Sequence, residues 1–145
     1  MPAYTKKGFT SGRIALVTGA AGSLGRATVR MLLESGLKVV LVDIGIDALN
    51  AMASELGGNT FALAMNLGDP KSIQSAFATI PHEFRDIDIL VNNAGILSNN
   101  KSEATSVEEW ERVIDINLNG VFFLARLVIP GMKKRRWGRI INTSS

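Results

Sequence analysis

The sequence predicts an α/β fold, a doubly wound parallel sheet with helices on both faces. Two observations carry that expectation. Short runs rich in Val, Ile and Leu alternate with amphipathic stretches from residue 13 onward, and the links between them are mostly short. Parallel strands need crossovers, helices supply them, and the crossovers are right-handed, so alternation of this kind has few other solutions.

The first strand is "RIALVTG", Arg13 to Gly19, apolar enough to be buried on both faces. A helix follows over Ser23 to Ser35, with Leu24, Ala27, Met31 and Leu32 expected as its buried stripe, Arg26 and Arg30 outside it, and Gly36 as its stop. "LKVVLVD", Leu37 to Asp43, is the second strand, and Ile46 to Leu56 a helix closed by Gly57 and Gly58. "TFALAMN", Thr60 to Asn66, is the third strand. Asp69 caps the next helix with Pro70 at its first position, and that helix is expected to reach about Phe84. "IDILVNNAG", Ile87 to Gly95, reads as a fourth strand and turn. Ile96 to Thr105 is the longest link, polar enough to be a mobile surface loop. A long helix starts near Ser106 and runs to Lys134, and "RIINTSS", Arg139 to Ser145, is expected as a fifth, buried strand. Residues 13–145 therefore parse as one domain behind a polar tail, residues 1–12.

Composition narrows the function classes. At 145 residues and 46% hydrophobic the chain can build a core, and with no cysteine and the single His82 it offers neither a disulfide nor a metal cluster. The N-terminal stretch lacks an apolar signal core, and the most apolar run, Leu118 to Met132, is broken by Arg126 and Pro130. The expectation is a soluble, cytoplasmic protein with no membrane partner. The net charge of +3 is concentrated in "KKRRWGR", Lys133 to Arg139. Such a cluster is either a nucleic-acid patch or a solvated helix end whose cations complement the helix dipole. Its shortness and single aromatic favour the helix end, so no nucleic-acid partner is expected.

The chemistry concentrates at strand ends. "TGAAGSLG", Thr18 to Gly25, places glycines at 19, 22 and 25, which let the backbone turn sharply and approach a diphosphate. The N–H groups and dipole of the following helix would meet its charge. A glycine-rich turn alone is weak, but here an acid, Asp43, ends the second strand. A carboxylate there accepts hydrogen bonds from both ribose hydroxyls of adenosine and repels a 2′-phosphate, so NAD is expected over NADP.

"TGAAGSLG", "VVLVDIG", "ILVNNAG", "DINLNGVF" and "GRIINTSS" together resemble the short-chain dehydrogenase/reductase family, from about Arg13 to the last residue. The resemblance implies a Rossmann-like sheet of which five strands are present and the later, C-terminal strands are missing. It implies that Gly19, Ser23, Leu24 and Gly25 line the cofactor diphosphate, that Asp43 meets the adenosine ribose, that Ile44 also binds the cofactor, and that Asn66 and Leu67 meet the adenine. Asn93, Ala94 and Gly95 would lie along the cofactor, with Asn92 tying neighbouring strands. It makes Asn117, whose local helix distortion would hold a water in a proton relay, and Ser145, which orients the substrate oxygen, the catalytic residues present. The substrate would be a small alcohol or carbonyl compound and the assembly a homo-oligomer, dimer or tetramer, paired through the long helix. Ser23 departs from the glycine usual in compact members, and Asn66 from a common aspartate.

The family's general acid/base tyrosine and its lysine, in a YxxxK pattern, follow the serine strand. The only tyrosine here is Tyr4. The expectation is thus an NAD-dependent oxidoreductase domain lacking its acid/base part and inactive by itself. A non-catalytic NAD-binding module and, behind it, a basic nucleic-acid-binding protein are the alternatives.

Overall fold

The computed structural model describes residues 12–144. Five apolar segments form one parallel sheet: β1 (Ile14–Thr18), β2 (Lys38–Asp43), β3 (Thr60–Ala64), β4 (Ile87–Asn92) and β5 (Arg139–Asn142), in the order β3-β2-β1-β4-β5. The chain winds outward from β1 to β3, then returns to place β4 on the other side of β1. That reversal opens a crevice at the carboxyl ends of β1 and β4.

Side chains alternate across the sheet because successive strand residues point to opposite faces. Leu16, Val40, Val42 and Leu90 pack on one face with Ile73 of α3 (Pro70–Ala78) and with Leu124, Val128 and Met132 of α5 (Gly120–Arg135). Val17, Val39, Leu41 and Ile89 pack on the other with Val29 and Leu32 of α1 (Ser23–Glu34) and with Leu49 and Met52 of α2 (Ile46–Leu56). Each face buries whole Leu, Val, Ile and Met side chains, worth roughly 1.5–3 kcal/mol apiece.

One irregularity breaks the alternation. Ile14 pairs with Ile87 but Ala15 pairs with Ile89, leaving Asp88 as an extra residue on β4. Its carboxylate fills the gap, accepting the Ile14 N–H at 3.1 Å and facing Arg135 at 3.3 Å and Arg13 at 3.6 Å.

Three expectations need correction. The third helix ends at Ala78, not near Phe84, because Pro81 has no N–H and disfavours a helical residue before it; a separate 3₁₀ turn, His82–Phe84, carries Phe84 into the core. β5 is not buried: it pairs with β4 at the sheet edge, leaving Ile140 38% and Ile141 49% exposed. The stripe expected on α1 is rotated. Leu24, Ala27 and Met31 are exposed, while Gly25, Val29 and Leu32 face the sheet.

The long helix exists but is composite: α4 (Val107–Ile114), a π turn (Asp115–Asn119) and α5. By length and composition, Val107–Arg135 is apolar enough to cross a membrane. Its α5 half nevertheless shares one apolar cluster with β1 and β4, the place of a core helix. The basic stretch behaves as a helix end. Arg136 adopts a left-handed conformation that stops α5, Arg135 pairs with Asp86 and Asp88, and the Trp137 ring lies 3.5 Å from the Arg13 guanidinium and 4.9 Å from that of Arg139.

Candidate functional site

The crevice is built first by the turn after β1. Gly19 has φ +63°, a conformation that disfavours a side chain, and a Cβ there would lie 3.0 Å from Ala94 Cα. A Cβ on Gly25 would lie 2.0 Å from Gly19 O. Gly25 therefore must face the turn, and this requirement, rather than the apolar count, sets the rotation of α1. Gly22, the N-cap of α1, brings no side-chain cap, and the first turn holds no acidic residue. The N–H groups at that end are left for an anion.

Thr18, given no role of its own by the sequence reading, locks the two strand ends together. Its Oγ1 accepts the N–H groups of Asn93 and Ala94, each at 3.0 Å, and donates to Val91 O at 3.4 Å. Asn93 returns the contact, its Nδ2 donating to Thr18 O at 3.0 Å. Asn92, one residue earlier, points to the other side and donates to Asn142 Oδ1 at 2.9 Å, so it does tie β4 to β5.

Asp43 ends β2 beside the glycine turn. One carboxylate oxygen accepts Ala21 N–H at 3.1 Å and the other Ile44 N–H at 2.8 Å. The acid thus braces the turn and keeps unused lone pairs on both oxygens. Asn66 closes its own turn by accepting Gly68 N–H at 3.0 Å, and the following Leu67 is approached closely by Gly120, where a Cβ would meet Leu67 O at 2.6 Å. Gly120 lets the long helix reach the end of β3.

Asn117 lies within the π turn. Its Oδ1 accepts Ile96 N–H at 2.9 Å and its Nδ2 donates to Ile96 O at 2.8 Å. A π turn arises where the helical ladder slips by one residue, and Asn119 Nδ2 bridges this one to Asp115 at 2.8 Å. The distortion expected at Asn117 is present. Two residues on, the link from β4 is anchored rather than loose: Ser98 Oγ and Asn100 Nδ2 each donate to Glu109 of α4 at 2.7 Å. These two hydrogen bonds, with Arg112 nearby, hold the Glu109 carboxyl below its ordinary pKa.

A cleft of about 520 Å³ runs along these strand ends. It brings together all of the binding residues expected from the sequence: Gly19, Ser23, Leu24 and Gly25 from the turn, Asp43 and Ile44 from β2, Asn66 and Leu67 after β3, and Asn93 to Gly95 after β4. Leu24 is exposed because it belongs to this wall. Asn117 stands behind the wall rather than in it, through Ile96. Ser145 and Tyr4 lie outside the described residues. Arg112, Ile116 and Thr143 also line the cleft; Thr143 belongs to the polar strand end of "IINTSS", and Arg112 and Ile116 lie one helical turn apart on a helix that approaches the site.

Comparison with known proteins agrees with this geometry. The family model described as short chain dehydrogenase matches residues 13–145. The 3-oxoacyl-[acyl-carrier-protein] reductase FabG of Vibrio cholerae serotype O1 is 40% identical over 134 residues, 92% of this chain and 55% of that protein. The closed form of a serine dehydrogenase complexed with NADP+ superposes with TM-score 0.85 at 38% identity, over 91% of this chain and 54% of that one. A 3-ketoacyl-(acyl-carrier-protein) reductase from Brucella melitensis complexed with NADH gives TM-score 0.86 at 31% identity, over 93% and 58%. The chain spans about half the length of the curated relatives it matches.

Proposed function

The chain belongs to the short chain dehydrogenase family, and from that premise we propose that its cleft binds a nicotinamide dinucleotide, NAD before NADP, for an oxidoreductase acting on a small alcohol or carbonyl compound. One observation carries the reading. A glycine turn opening an uncapped helix and an acid ending the next strand share one wall of a single cleft. The α1 N-terminus suits a diphosphate, and the free lone pairs of Asp43 suit the two hydroxyls of a ribose.

In this reading Ser23 and Leu24 line the diphosphate, Asn66 and Leu67 flank the adenine, and Asn93, Ala94 and Gly95 lie along the rest of the cofactor. When bound, the nicotinamide would supply or accept the hydride. Asn117 holds the wall at Ile96, and Ser145 orients the substrate oxygen. The YxxxK pattern occurs nowhere in the sequence, so the 145-residue chain alone is proposed to bind cofactor without turning over substrate. The two solved relatives hold NADP+ and NADH respectively, which leaves the preference to local residues, and Asp43 favours the unphosphorylated ribose. A cytoplasmic homo-oligomer is part of the same proposal, and the association, not the location, is supported by Trp110, Leu118 and Phe122, 60%, 60% and 62% exposed along α4, the π turn and α5. No nucleic-acid partner is proposed, since Arg135 is committed to Asp86 and Asp88.

Titration with NADH and NADPH, followed by energy transfer from tryptophan to the reduced nicotinamide, tests this. Saturable binding with NADH tighter is the expected result. Equal or tighter NADPH binding would overturn the preference, and no binding by either would overturn the reading of the cleft.

A further inference from the structure

Glu109 makes strong contacts that the roles above do not use. Each of its carboxylate oxygens takes a different donor, Ser98 Oγ on Oε1 and Asn100 Nδ2 on Oε2, both at 2.7 Å. Ser98 Oγ in turn accepts Asn100 N–H at 3.2 Å, so the three side chains close one small network. The acceptor sits on a fixed element, because Ser106 Oγ caps α4 by taking the Glu109 N–H at 3.1 Å.

The segment held this way begins at Ile96, whose N–H and C=O are both taken by Asn117, and Gly95 and Ile96 form part of the cleft wall. Residues 96–100 are therefore strung between two side chains of one composite helix, about two turns apart. Arg112, on the next turn after Glu109, lines the cleft and attracts the same carboxylate.

We propose that Glu109 is a positioning residue: its carboxylate fixes residues 96–100 and so sets the wall against which the dinucleotide lies. The proposal rests on the reading of the cleft given above. A carboxylate suits the task because it accepts on two oxygens at once, while an amide of the same shape offers one oxygen. Leu97, 85% exposed, contributes little apolar burial to hold the segment.

Amide hydrogen exchange and NAD affinity, measured on the same samples of the unaltered chain, Glu109→Ala and Glu109→Gln, test it. In Glu109→Ala the Asn100 N–H is expected to exchange about tenfold faster or more, while Leu16 and Leu90 in the sheet stay as slow as before. The Kd for NAD is expected to rise about three- to tenfold. Glu109→Gln should restore part of both changes, because its oxygen still accepts from one donor. Unchanged Asn100 exchange in Glu109→Ala overturns the anchor, and faster exchange with unchanged Kd overturns the positioning. If the unaltered chain binds no NAD, the cleft reading falls, and with it positioning toward that ligand; the anchor itself is decided by exchange alone.

Discussion

Asn117 pairs with the backbone of Ile96 as a neighbouring strand would, accepting its N–H at 2.9 Å and donating to its C=O at 2.8 Å. The arrangement requires an amide, with one donor and one acceptor at the same reach. Asn117→Asp would put a carboxylate oxygen against the Ile96 carbonyl, and should cost about 1–2 kcal/mol in chemical denaturation at neutral pH. Exchange of the Ile96 N–H should change far less than in Asn117→Leu, where the acceptor is lost as well.

The glycines of the turn are not equivalent. A Cβ on Gly25 falls 2.0 Å from Gly19 O, whereas one on Gly22 falls 3.4 Å from the same oxygen, an ordinary contact. Gly25→Ala should displace α1 from the turn, lowering stability by about 1–3 kcal/mol and abolishing cofactor binding. Gly22→Ala should leave the melting temperature within a few degrees of the unaltered chain. Thermal unfolding of both variants checks the contrast.

Asp43 is expected to act on specificity more than on stability. Asp43→Asn keeps an oxygen for Ala21 N–H or Ile44 N–H but removes the charge. The preference for NAD over NADP should shrink by about tenfold or more, because the repulsion of a 2′-phosphate is gone. Parallel titrations with the two cofactors read this out, and an unchanged ratio would assign the preference elsewhere.

Acid should loosen the 96–100 segment before it unfolds the sheet. The hydrogen bonds from Ser98 and Asn100, then Arg112, lower the Glu109 pKa beneath its ordinary 4.5. The anchor's contribution is then fully present above pH 4.5 and is lost as pH falls below it through the lowered value. Glu108 titrates in the same direction, lowered first by its own backbone N–H and then by Ser106. Chemical shifts of Ser98 and Asn100 should therefore follow a titration with its midpoint below 4.5, and that transition should be lost in Glu109→Gln.

Asp88 offers a stability test remote from the cleft. It is 8% exposed and accepts the Ile14 N–H where β4 carries its extra residue. Asp88→Ala leaves that N–H and the Arg135 Nε–H without their acceptor, while Arg135 keeps Asp86 and the Ile87 carbonyl, at about 1–3 kcal/mol. Denaturation midpoints should fall accordingly, with NAD affinity unchanged.

The strands, the helices and the glycine turn with its neighbouring acid were legible because they follow local rules, and the other cleft-lining residues were reached through the family resemblance. Apolar runs, caps such as Asp69 and Ser106, and a glycine turn ahead of an acid depend on neighbours in sequence. What was misread depends on neighbours in space. The face of α1 is set by the missing side chain of Gly25, which no apolar periodicity counts. The exposure of β5 follows from its place at the sheet edge, and the bulge at Asp88 from a register that only pairing defines. Thr18 acts across tens of residues and Glu109 through a loop, so their roles emerged with the fold.

The most direct measurement is a residue-resolved map of amide chemical shifts during NAD titration of the folded chain. The account expects changes centred on the cleft, at residues 19–25, Asp43 and Ile44, Asn66 and Leu67, residues 93–96, Arg112, Ile116 and Thr143, with residues 133–139 unaffected. No change at saturating NAD, or changes centred on the basic helix end instead, would contradict it.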